Sequence, residues 1–203
     1  MSVGKSTKSR GGGLFITPTY AKLYLLLAML LIALPSASKL YHGFTNKLLV
    51  SRPLTNGTFF EETVIYMKYH SLFSARGYII NKPARISTQK MQALRRTFPN
   101  LKAVYISGPL GVEQEYYQVS EDANGQIRFK DVDPNIPNPE ITHLYTGYAG
   151  WTVFQLNMEV FKGGWDVIPN DPELVIRTPA EKIWPLARQR IPAVQKAHNR
   201  ERL

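Results

Sequence analysis

The side chains best suited to proton transfer or metal binding near neutral pH are four histidines, His42, His70, His143 and His198, in a chain of 203 residues. They are too widely spaced to form a local ligand pair, and no carboxylate stands beside them at metal-ligand spacing. The chain has no cysteine, which removes thiolate nucleophiles, disulfides and cysteine-ligated zinc together. No Gly-x-Ser-x-Gly elbow, P-loop or dinucleotide-type glycine loop is present. No catalytic residue, cofactor or metal is assigned from this set.

Two smaller features invite chemistry. Gln155 and Glu159 stand one helical turn apart on the only polar stripe of the apolar stretch Trp151 to Lys162, and a buried carboxylate there needs hydrogen-bond donors. Gly147 and Gly150 precede that stretch. Glycines ahead of a helix leave N–H groups that can hold an anion, or they simply permit a sharp strand-to-helix turn, which is the preferred explanation.

The net charge of +10 suggests a phosphate-rich partner until its distribution is considered. Lys5, Lys8, Arg10 and Lys22 occupy a region without acids. Arg188, Arg190, Lys196, Arg200 and Arg202 crowd the other end against Glu201 alone. The 23–187 span holds 16 basic and 14 acidic residues, so the folded part is nearly neutral and argues against direct nucleic-acid binding.

Leu23 to Leu34 is an uncharged apolar run, preceded by basic residues and Gly11-Gly12-Gly13 and followed by Pro35 and Ser36-Ala37-Ser38. This is the pattern of a signal peptide. A spanning helix wants about 20 apolar residues, which requires continuation through Pro35 to Leu40. Cleavage after Ser38 and retention as a signal anchor both stay open. In either case the flanking basic residues keep the N-terminus cytoplasmic and send the domain outward. The expected organisation is a basic flexible region over 1–22, a signal peptide or signal-anchor helix over 23–40, one domain over 45–190, and a basic tail over 191–203.

Within the domain, Lys47–Arg52, Glu62–Tyr69 and Tyr78–Ile80 carry strand composition. Ser87 or Thr88 caps a helix with Met91, Leu94 and Phe98 on one face. Leu101–Ser107 is a strand stopped by Gly108-Pro109. Gln114–Ser120 and Gln126–Asp131 flank Asn124-Gly125, a hairpin signal, and His143–Tyr148 is a further strand. The helix Trp151–Lys162, apolar around most of its circumference with Trp151, Phe154, Met158 and Phe161 on one face, is expected deep in the core. Trp165–Pro169 and Glu173–Arg177 are expected as strands. Thr178-Pro179-Ala180-Glu181 reads as a capping box opening a last helix that Pro185 kinks or shortens. Strands outnumber helices and hairpins mix with crossovers, so the class is α+β.

Several blocks in order carry a resemblance. Leu48 to Leu54 is followed by Phe59 and Val64-Ile65-Tyr66. His70 leads to Gly77-Tyr78-Ile79-Ile80-Asn81-Lys82-Pro83. Ser107-Gly108-Pro109-Leu110 and Gly147-Tyr148-Ala149-Gly150-Trp151 precede Gln155-Leu156 and Glu159, with Trp165 and Thr178–Trp184 behind. From about Asn46 to Arg188 the chain resembles the YqgE/AlgH family of bacterial proteins, usually described as transcriptional regulators without an established reaction. The resemblance implies a bent, branching, mostly antiparallel sheet forming a pseudo-barrel with flanking helices, here preceded by one N-terminal hydrophobic helix. It singles out His70, Asn81, Gln155 and Glu159 as a candidate pocket, against the preferred alternative that they satisfy turns and helix ends. The chain departs from the family at Ser107, where a second glycine is usual, and before Gln155, where Gly-Pro-Gly is usual. Asn56 and Ser74 stand where aspartate and glycine are common.

The expected function is a non-enzymatic binding or regulatory protein, targeted to the inner membrane or periplasm through 23–40, with an unknown protein or small ligand as partner. One alternative is a cytoplasmic transcriptional regulator. Another is an enzyme using His70 and Glu159 as an acid–base pair, which requires the two to meet.

Overall fold

A computed structural model of the chain describes Lys22 and residues 24–29, 43–71, 73–152 and 154–192. Its internal contacts separate Met1–Leu40 from Tyr41–Leu203. In the first unit the described residues are helical and exposed, among them Leu25, Leu26 and Leu27. No helix among the described residues is long and apolar enough to cross a membrane. Most of the expected 23–40 segment, the 1–22 region apart from Lys22 and nearly all of the basic tail lie outside the described residues.

The second unit runs β1 (Lys47–Ser51), β2 (Val64–His70), β3 (Ala75–Ile79), α1 (Thr88–Thr97), β4 (Ala103–Ile106), β5 (Tyr116–Glu121) and β6 (Ile127–Asp131). It continues through β7 (His143–Thr146), β8 (Ala149–Trp151), α2 (Gln155–Phe161), β9 (Trp165–Pro169), a π-helical turn (Glu173–Arg177) and α3 (Ala180–Gln189). This is a mixed α+β fold. Five strands form an antiparallel sheet in the order β8-β3-β2-β1-β9, and four form a second sheet in the order β4-β7-β5-β6. All pairings are antiparallel except β4 with β7, where Ala103 lies opposite His143.

The two sheets are joined where the chain leaves β3. Ile79 N–H donates to Ser107 O at 2.9 Å, and the Ser107 hydroxyl returns to Ile79 O at 3.0 Å. Ala84 N–H then reaches Val104 O at 2.8 Å, so the strand peels from one sheet and pairs with the other. Ser107 itself is fully buried. The next residue, Gly108, runs against the loop Gly147–Ala149. A Cβ on Gly108 would fall 1.9 Å from the Tyr148 carbonyl carbon, a place no side chain can occupy. Leu110 and Tyr148 exchange backbone hydrogen bonds at 3.1 and 2.8 Å just beyond this crossing.

Alternation along the strands splits the five-stranded sheet into two buried faces. Leu48, Val50, Val64, Tyr66, Tyr78 and Ile80 pack on the four-stranded sheet and α3. Leu49, Ile65, Met67, Ile79, Trp151 and Trp165 pack on Leu156 of α2 and on Phe59 and Phe60. Asp166, buried on β9, receives Arg188 of α3 at 2.5 Å and lies 3.8 Å from Arg52, tying helix and sheet.

Three expectations are corrected here. Trp151–Lys162 is not one buried helix: Trp151 ends β8, the helix is only Gln155–Phe161, and Phe154, Met158 and Phe161 are 52%, 48% and 62% exposed. Glu173–Arg177 is a π-helical turn rather than a strand, because Asp171 Oδ1 accepts from Glu173 N–H at 2.9 Å and caps it. The Thr178 capping box does not form, since its hydroxyl donates backward to Glu173 O at 3.0 Å, and α3 continues through Pro185.

Replacing Gly108 by alanine forces a Cβ into the Tyr148 backbone. The expected destabilisation is about 3 kcal/mol, the top of the ordinary overpacking range, or more. Urea denaturation monitored by circular dichroism checks this; a loss below about 1 kcal/mol would show that the crossing relaxes freely.

Candidate functional site

The Glu159 carboxylate on α2 is partly buried and held by three side chains. Its Oε2 accepts from two indoles at once, Trp151 Nε1 at 2.9 Å and Trp165 Nε1 at 2.9 Å. Its Oε1 accepts from Gln155 Nε2 at 3.0 Å. Gln155 is in turn positioned by the Thr152 N–H and hydroxyl, both donating to its Oε1 at 3.2 Å. Spacing of four residues puts Gln155 and Glu159 on one helix face, and the structure keeps them together. Ionised carboxylates hold about four acceptor positions, so one remains for a further donor.

This carboxylate borders an open cleft of about 570 Å³ lined by Thr55, Phe59, Phe60, Lys162 and Trp165 among others. The aromatic wall comes from a loop braced by threonines. Thr55 Oγ1 donates to Arg52 O at 2.7 Å, Thr58 Oγ1 to Thr55 O at 2.6 Å, and Thr63 Oγ1 to Phe60 O at 2.8 Å. Phe60 packs edge-on against Trp165 at 5.6 Å and Phe59 edge-on against Phe60 at 5.4 Å. Lys82 lies 4.1 Å from the Phe59 ring centre, and burial lowers its pKa against the opposing pull of Glu61. An aromatic wall with one fixed carboxylate suits an apolar body carrying a hydrogen-bond donor or a cation.

The other expected site residues lie elsewhere. His70 is buried, with its Nε2 2.9 Å from Asn157 Oδ1 and its ring tilted against Phe44 at 4.7 Å. Asn157 and Glu159 are two residues apart on α2 and point in different directions, so His70 and Glu159 belong to separate networks. Asn81 Oδ1 accepts from Val64 N–H at 2.8 Å while its Nδ2 donates to Glu62 O at 2.8 Å, stitching a turn. It borders a different groove, with Glu181 and Trp184. The four residues therefore do not share one pocket. At the expected anion turn, Gly147 N–H donates to Glu115 O and Tyr148 N–H to Leu110 O. Gly150 sits in β8 opposite Arg76.

A second polar cluster had no local signal. Arg76 of β3 donates to Glu115 and to the Tyr117 hydroxyl, which also bonds Glu115, and its guanidinium carbon lies over the Tyr148 ring, 3.6 Å from the ring centre. Burial, and then the Glu115 carboxylate, raise the Tyr117 pKa far above the ordinary range. The Tyr117 hydroxyl, and after it Arg76, hold Glu115 below the usual carboxylate value against its own desolvation. A third feature is a cavity of about 320 Å³ bordered by Tyr105, His143, Tyr145 and Arg177 of the π-helical turn. Among the described residues, no group of three or more histidine or carboxylate side chains is placed to hold a metal.

Comparison with known proteins reinforces the architecture. A family model described as AlgH-like matches residues 48–194. A UPF0301 protein of Idiomarina loihiensis is 31% identical over 170 residues, spanning 74% of this chain and 92% of its own. A UPF0301 protein of Vibrio cholerae is 29% identical over 172 residues, spanning 73% and 92%. The fold is similar to the solution structure of the AlgH protein from Pseudomonas aeruginosa, with a TM-score of 0.56 and 21% identity over 74% of this chain and 89% of that one. It is also similar to the crystal structure of a Corynebacterium diphtheriae protein, with a TM-score of 0.58 and 22% identity over 76% and 90%.

Removing the carboxylate leaves two indole N–H groups without their acceptor. Glu159→Ala is expected to cost about 2–6 kcal/mol, at about 1–3 kcal/mol for each of the two unsatisfied donors, while Glu159→Gln retains an acceptor and costs less. Denaturant midpoints of the three proteins check this; equal loss in both variants would show that charge, not donor satisfaction, is what matters.

Proposed function

The chain belongs to the AlgH-like family, and from that premise we propose that it is a non-enzymatic binding module, held at or beyond the inner membrane through residues 23–40, whose ligand site is the aromatic cleft beside Glu159. The observation that carries this reading is that Trp151, Trp165 and Gln155 fix the Glu159 carboxylate at the edge of the cleft and leave one acceptor position open. A carboxylate fixed in place by three donors presents its remaining lone pair in a set direction, which suits recognition of a donor or cation. The expected acid–base partner, His70, is engaged with Asn157 instead. The ligand class is a small molecule or side chain with an apolar body and a cationic or donor tip.

The membrane part of the proposal is supported by the uncharged run Leu23 to Leu34 and by the exposure of its described side chains, including Leu26 at 65%. Exposed leucines on a helix are costly in water and favourable in lipid. A cytoplasmic regulator is the competing reading, and it requires a nearly neutral domain to find phosphate contacts.

Alkaline phosphatase fused after Leu203 in bacterial cells separates the two. An active fusion is expected; an inactive but stably produced one would return the regulator to first place. For the cleft, benzyltrimethylammonium is expected to quench the tryptophan fluorescence of the purified protein, and benzoate is not. Glu159→Gln should weaken the binding about tenfold, since a carboxylate–cation attraction at about 4 Å amounts to roughly 1–4 kcal/mol. No response from the unmodified protein would remove the cleft as the site, and turnover of a small substrate lost in Glu159→Gln would make the protein an enzyme.

A further inference from the structure

The exposed aromatics of the domain gather at one end. Phe154, Met158 and Phe161 recur at spacings of four and three along α2, and all are about half or more exposed. The β2–β3 hairpin closes beside them, because Ala75 pairs with Trp151 just ahead of the helix. Its loop, drawn together by Ser71 N–H on Ser74 O at 3.0 Å, presents Phe73 at 76% exposure. Lys162 follows Phe161 and is also exposed. Phe154 adopts φ of +59°, a left-handed conformation that costs a bulky residue free energy and that glycine would adopt without strain. An aromatic ring kept exposed at a strained position points to a surface in use.

The described part of the domain begins at this same end. Phe44 lies against His70, whose backbone N–H donates to Thr45 Oγ1 at 2.9 Å and whose Nε2 lies 2.9 Å from Asn157 of α2. On the helix, Asn157 lies three residues after Phe154 and four before Phe161, so the chain enters directly beside the aromatic stripe. In sequence, the apolar run ends at Leu34 and the domain resumes at Gly43. That intervening chain reaches at most about 30 Å when fully extended, less than the width of a domain this size. A domain tethered so briefly cannot turn an arbitrary face to the surface in which its tether is embedded.

We propose that the end of the domain formed by Phe73, Phe154, Met158 and Phe161 docks onto the phospholipid surface, with these side chains seated at the headgroup level and Lys162 meeting lipid phosphate. The inference rests on the retained-anchor form of the proposed function. Aromatic and aliphatic groups flanked by a basic residue are the composition of interfacial membrane contacts, which sink roughly 5–10 Å into the headgroup boundary.

The absence of cysteine makes the test direct. The full chain carrying Met158→Cys, or Ile136→Cys as a control at another exposed position, is labelled with an environment-sensitive fluorophore. Each is reconstituted into vesicles of phosphatidylethanolamine and phosphatidylglycerol containing spin-labelled lipid. The expected result is a blue shift and lipid quenching at position 158 and neither at position 136. Phe154→Gly, which relieves the backbone while removing the ring, is expected to reduce the quenching at 158 without lowering the denaturant midpoint. Vesicle-bound protein whose label at 158 behaves like that at 136 would overturn the docking face while leaving the anchor intact. Failure of the chain to float with the vesicles would overturn the anchor and the docking face together. Shielding of 158 that persists without lipid and disappears on dilution would assign the face to a second copy of the chain instead.

Discussion

One carboxylate joins the two edges of a five-stranded sheet. β8 and β9 are the outer strands, separated in a flat sheet by four spacings of about 4.8 Å, or about 19 Å. Yet Trp151 and Trp165, one from each edge, approach to 6.4 Å between ring centres and share a single Glu159 oxygen. The sheet must therefore be strongly coiled, and the concave side it creates is the space that Leu156 and the Phe59–Phe60 loop fill. The short helix α2 is positioned by this clip more than by its own burial, since Leu156 is its one buried residue among those described. The cleft follows from the same constraint, because Trp165 and Glu159 form its floor while the threonine-braced loop forms its wall.

What could be read from the sequence was what local chemistry decides. Ser87 caps α1 through Lys90 N–H, and Gly125 takes φ of +73° at the β5–β6 turn, because both depend only on neighbouring residues. Glu159 was legible as a polar group on an apolar stretch, and Gln155 as its neighbour one turn away. The two indoles that complete the arrangement were visible as residues but not as partners, since only sheet curvature brings them together. The Arg76–Glu115–Tyr117 cluster was silent for the same reason: its members sit on segments far apart in the chain, and the joining of the two sheets at Ser107 brings them within reach.

The stretch after Trp151 misled because helical periodicity cannot say which side of an apolar helix meets the core. With seven residues, α2 makes two turns and covers the sheet mainly through Leu156 and Val160. The stripe of larger side chains is left outside. Phe154 stands where the family resemblance places a glycine, and its positive φ shows why glycine suits the position. The departure thus puts an exposed ring where glycine would take the same backbone conformation without strain. By contrast, the glycine at 108 is retained, and its crossing with Tyr148 leaves no room for any other residue.

The strand order also bears on how the protein reaches its folded state. β1, the first strand of the domain, lies between β2 and β9, and Lys47 pairs with Pro169. Until the last quarter of the chain has emerged from the ribosome, β1 has one open edge and the concave side lacks Trp165. Closure of so long a loop is slow, and an unpaired strand edge invites association with other chains meanwhile. A nascent chain of this topology therefore stays pliable while it is being made, and it becomes cooperative only when its final strand arrives.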